Sequence, residues 1–63
     1  MTRDQVAERL RIETAALAGT LAGLIDLWAG GAATSYQLLD QTSAALDAHR
    51  ATVALLLDVG GQS

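Results

Sequence analysis

The chain has no cysteine, no proline, no lysine and no phenylalanine, and carries one histidine, one tryptophan and one tyrosine in 63 residues. Each absence excludes something. Without cysteine there is no disulfide, and a single His leaves too few ligands for a metal centre built from one chain, so two of the usual supports of a small domain are missing. Without proline the strongest helix breaker is gone. Without lysine, four arginines face seven acids for a net charge of −3, and the clustered cations that a nucleic-acid backbone demands are not there. Arg3, Arg9 and Arg11 lie close in sequence, but Asp4, Glu8 and Glu13 are interleaved with them. That pattern reads as a salt-bridged, solvated helix start, and nucleic acid is not an expected partner.

The apolar, charge-free run Thr14 to Ile25 ends at Asp26 and is shorter than the roughly 20 apolar residues of a membrane span. No membrane span is therefore expected. The N-terminus lacks the basic, apolar and small-residue succession of a cleaved signal peptide, which points to a cytoplasmic protein or one exported by a signal-independent route. A single domain over residues 1–63 is expected. A chain this short buries only about 60% of the surface it exposes when unfolded, so another chain is the remaining support and oligomerisation is the expectation.

What is present reads as two helices. Thr2 precedes Gln5 by three residues, and Thr34 precedes Gln37 likewise; both are capping boxes, in which the Thr oxygen and the Gln side chain satisfy unpaired backbone N–H groups. Gly30-Gly31 and Gly60-Gly61 are the matching stops, because Gly enters the left-handed conformation cheaply. The fold class predicted is all-α: an antiparallel helical hairpin, helices over about 3–29 and 35–59, that dimerises into a four-helix bundle.

Heptad spacing supports the hairpin. Ala7, Leu10, Thr14, Leu17, Leu21, Leu24 and Trp28 alternate steps of three and four, as do Leu39, Thr42, Leu46, His49, Val53 and Leu56. A constant index sum of 63 pairs Leu10 with Val53, Leu17 with Leu46, Leu24 with Leu39 and Thr14 with His49. Ile12, Ile25, Leu27, Leu38, Leu55 and Leu57 fall off this seam and form a second surface to bury, as a four-helix arrangement requires. Ala15, Gly19, Ala22 and Gly23 add a stripe of small residues, with Gly19 and Gly23 in a G-x-x-x-G spacing that permits close backbone approach.

No catalytic set is visible, and no cofactor or metal is expected. His49, with Thr14 across the seam and Glu13 and Asp47 nearby, allows a proton-transfer reading to be drawn. The favoured reading is a core or interface His49, hydrogen-bonded to Thr14 or Glu13, with Thr14 and His49 as the polar core that sets register as a buried polar residue does in a coiled coil. Metal or haem ligation would need His49 from two chains. Gly30-Gly31 lacks the preceding strand and following Lys of a phosphate loop. Asp40 and Asp47, at the same heptad position, read as a solvated face.

The midpoint holds Trp28-Ala29-Gly30, with Leu21 and Leu24 seven and four residues before the Trp, the small residues Gly31, Ala32 and Ala33 after the Gly, and Tyr36 eight residues past the Trp. This resembles the WXG (ESX-type) family of small proteins handled by type VII secretion, in which a Trp-x-Gly turn joins two long helices. The resemblance covers Leu21 to about Asp40. It implies a non-enzymatic protein that forms a homodimer or heterodimer with a similar hairpin, is exported folded, and serves as an effector, partner or accessory of a larger secreted protein. The family's Tyr-x-x-x-Asp/Glu export signal lies beyond the second helix; here the spacing occurs at Tyr36 to Asp40, at that helix's start, so a partner would supply the signal. The turn motif on this reading is Trp28, Gly30, Gly31 and Tyr36, with both aromatics closing the end of the helix pair. Truncating a buried Trp28 to Ala would then cost about 3 kcal/mol or more. A rival reading is an intracellular homodimeric four-helix-bundle regulator or adaptor, like the plasmid copy-number regulators, with RNA as its target.

Overall fold

The computed structural model of the chain describes residues 1–60. They form two helices, α1 (Arg3–Ala29) and α2 (Ser35–Gly60), folded back on each other as a hairpin whose Cα trace spans 47 × 16 × 8 Å. The helix limits follow from local chemistry. At the start of α1 the Thr2 N–H donates to Gln5 Oε1 at 2.8 Å and the Gln5 N–H donates to Thr2 Oγ1 at 3.2 Å. Thr34 and Gln37 repeat the exchange at the start of α2, at 2.8 and 3.0 Å. Both expected capping boxes are thus formed, each satisfying two otherwise unpaired N–H groups. At the far end α2 runs one residue past the expected limit, to Gly60; Gly61 lies outside the described residues.

The turn is a Schellman motif. The Gly31 N–H donates to the Trp28 carbonyl at 3.1 Å and the Ala32 N–H to the Leu27 carbonyl at 2.9 Å, the two bonds that close a helix when the residue after its cap turns left-handed. That residue is Gly31, at φ +82°, whereas Gly30 remains helical at φ −82°. The two glycines are therefore not equivalent. Gly31→Ala is expected to cost about 1–2 kcal/mol through left-handed strain, while Gly30→Ala stays within about 0.5 kcal/mol, as a change at an unstrained surface position does. Urea titrations of the two variants at one protein concentration check this difference.

In α1 the expected seam positions Ala7, Leu10, Leu17, Leu21 and Leu24 are half-buried and Thr14 and Trp28 are not; in α2 Thr42, His49, Val53 and Leu56 are half-buried and Leu39 and Leu46 are not. The half-buried or buried positions of α1 are Val6, Ala7, Leu10, Glu13, Leu17, Leu21 and Leu24; those of α2 are Leu38, Thr42, Ala45, His49, Thr52, Val53, Leu56 and Gly60. Leu38, expected on the second surface, lies in the seam, and Leu39 and Leu46, expected in it, are 68% and 48% exposed. The reason is that α2 carries two rows at helical spacing, about 100° apart. The inward row combines small side chains at Thr42, Ala45 and Thr52 with Leu38 and Leu56, and Leu39 and Leu46 take the other row. Thr14 is exposed, so the polar pair at the seam is Glu13 and His49, and the expected pairing of Thr14 with His49 is replaced.

At the open end Val6, 6% exposed, is the sole buried apolar side chain among the described residues. It packs on Gly60, where an added Cβ would collide with Val6 Cγ2. One buried valine is not a core. The hairpin is held along its length by side chains that are only half covered.

Candidate interaction surface

The turn residues were expected to plug the end of the hairpin, and they divide between two roles. Trp28, in the last turn of α1, donates its indole N–H to Ser35 Oγ at 3.0 Å, tying the end of one helix to the first residue of the next. Trp28 is 45% exposed, because no third element among the described residues covers the turn. Ser35 was not singled out in the sequence; the available signal was a hydroxyl at the first position of α2, within reach of a Trp at the end of α1. Tyr36 is 79% exposed and does not close the hairpin. It lies two residues before the inward Leu38, which is about 200° around the helix.

Two grooves flank the seam, each of about 240 Å³. One is lined by Val6, Ala7 and Leu10 of α1 with Leu57 and Gly60 of α2, and Arg3 sits at its edge. The other runs between Glu13, Leu17 and Thr20 of α1 and Ala45, Ala48, His49 and Thr52 of α2. The first is apolar and the second mixed. Arg9 pairs with Glu13 at 3.1 Å beside the second groove, as the interleaved charges of this segment predict. No group of three or more potential metal ligands occurs among the described residues.

The six apolar residues assigned to one second surface point in several directions. Ile25 and Leu57, 53% and 52% exposed, lie on the flank of the apolar groove. Ile12 and Leu55 point outward from the back of their helices, and Leu27 lies on the opposite flank, as their offsets from the seam rows require at 100° per residue. All three are more than half exposed. The flank of Leu57 holds a row that sequence reasoning missed as such: Leu39, Leu46, Val53 and Leu57, separated by seven, seven and four residues. Across the seam on the same flank lie Ala7, Thr14, Ala18, Leu21 and Ile25, again at steps of seven and four or three. The Gly19 and Gly23 stripe faces away from α2, with no atom within 4 Å of a Cβ built at either position.

By length and composition α1 would suffice to cross a membrane, although its first four turns carry Arg3, Asp4, Glu8, Arg9, Arg11 and Glu13. No protein-family model, no curated protein and no solved structure matches the chain.

Proposed function

We propose that this chain is a WXG-like helical hairpin that acts without catalysis, by protein–protein association, as a substrate, partner or accessory of type VII secretion. It joins a second hairpin, its own copy or a different chain, to complete four helices. The observation that supports this reading is the turn. A Trp-x-Gly segment closes two helices of 27 and 26 residues, ties them through the Trp28 indole, and leaves Ile12, Ile25, Leu27, Leu39, Leu46, Leu55 and Leu57 exposed. Side chains of this kind left in water along a two-helix unit mark association surfaces.

The test is export. A tagged chain produced in a host with a type VII system, together with candidate partner hairpins, is expected in the culture medium when the export ATPase is active and only in the cells when it is inactivated. Retention in the cells with every partner would overturn the secretion reading. Retention on RNA that weakens steeply with salt would instead favour the intracellular regulator.

A further inference from the structure

We infer that the apolar groove at the open end of the hairpin is a binding site for the anion of a single-chain aliphatic acid, with its carboxylate on Arg3 and its alkyl chain along Val6, Ala7, Leu10 and Leu57. The groove measures about 240 Å³, below the roughly 300–1,000 Å³ of pockets that enclose a drug-sized ligand. It suits one chain, not a ring system or a two-chain lipid. Among the described residues that line it, Arg3 alone is charged and the others are aliphatic or Gly60. From Arg3 to Leu10 the helix rises about 10 Å, the length of an extended chain of about eight carbons.

The charge around the groove selects the sign of the ligand. Arg11 stands four residues after Ala7, and Arg50 seven before Leu57, spacings that keep helical residues on one face. Both are exposed, as is Arg3. Asp4, three residues before Ala7, is the acid that shares this flank; Glu8 and Asp47 lie further round, toward the backs of their helices. Three cations against one acid make the flank positive on a chain of net charge −3.

None of these three arginines makes an ion pair among the described residues, whereas Arg9, on the other flank, is held by Glu13 at 3.1 Å. The second groove, of the same volume, therefore has its neighbouring cation already neutralised, and it carries the Glu13 carboxylate and His49. An anion with an apolar tail finds both of its requirements only at the first. A guanidinium fork matches the two oxygens of a carboxylate, and Arg11 and Arg50 add attraction at the inner end without touching the head.

The experiment is a titration of the full chain with sodium octanoate, kept below its micellar concentration, followed by backbone-amide and methyl NMR shifts. Saturating shifts centred on Val6, Ala7, Leu10 and Leu57 are expected. From butanoate to octanoate the dissociation constant should fall about two- to fourfold per methylene, and chains longer than the groove should gain little more. Arg3→Gln, with helix content checked by circular dichroism, is expected to weaken octanoate about tenfold, as loss of one solvent-exposed charge-assisted hydrogen bond does. Octanol should bind the wild type as weakly, and Arg9→Gln should bind octanoate about as well as the wild type.

Octanoate binding unchanged in Arg3→Gln, or octanol binding as tight as octanoate, would overturn Arg3 as the site of the head. Shifts that never saturate and spread equally over Leu39, Leu46 and Leu55 would overturn the groove in favour of unspecific adsorption. A chain that ignores octanoate but is captured by phosphatidylglycerol vesicles would overturn the free acid as ligand and make the flank a lipid-facing surface. None of these outcomes depends on export, so the secretion reading stands or falls separately.

Discussion

Leu17→Asp is expected to unfold the hairpin. Leu17 lies near the middle of α1 and points at α2 beside Ala45 and Ala48, in the groove that also holds Glu13 and His49. A carboxylate there faces Glu13 one turn away, and like charges four residues apart weaken a helix. It also removes apolar contact from the centre of the seam and puts a charge where solvent reaches it poorly, at a cost of several kcal/mol. A domain of this size has on the order of 3–5 kcal/mol to lose. Far-ultraviolet circular dichroism at 25 °C should therefore show most of the helical signal gone. Ala16→Asp, one residue away and exposed, should keep it; equal helicity in the two variants would mean that the seam does not hold the helices together.

The second large effect is expected at Trp28, and the structure lowers its size. A fully buried indole truncated to Ala would cost about 3 kcal/mol or more. With the ring 45% exposed and one hydrogen bond to Ser35, Trp28→Ala is expected to cost about 2 kcal/mol, of which about 1 kcal/mol is the hydrogen bond. Trp28→Phe keeps most of the packing and isolates the second part. Urea titrations of both variants at low protein concentration, where linkage to association is smallest, measure the split. A loss within about 0.5 kcal/mol for Trp28→Ala, the size of an ordinary surface substitution, would mean that the indole serves a partner and not the hairpin.

These two positions show how far the sequence could be read. Leu17 was assigned to the seam from spacing alone, and its place there is the observed one. Trp28 was placed correctly at the turn, but its exposure depends on what covers the turn, which no local pattern contains. Spacing left Thr14 and Glu13 both open as the neighbour of His49, and it is Glu13 that shares its groove. Neighbouring residues on a helix differ by about 100°, so a shift of one position changes which polar side chain meets the His.

The helix limits and the turn belong to the sequence by itself. Two Thr-x-x-Gln boxes, a Gly pair and an unbroken run of helix formers act within four residues of chain, and such short-range hydrogen bonding leaves little for tertiary contacts to alter. Which of two rows on α2 turns inward was decided only by the tertiary structure. Leu39-Leu46 and Leu38-Ala45 have the same spacing, so periodicity cannot rank them, and the two rows meet at Thr52 and Val53, both half-buried. Packing against α1 turns inward the row with the smaller side chains at Thr42, Ala45 and Thr52, and leaves Leu39 and Leu46 exposed.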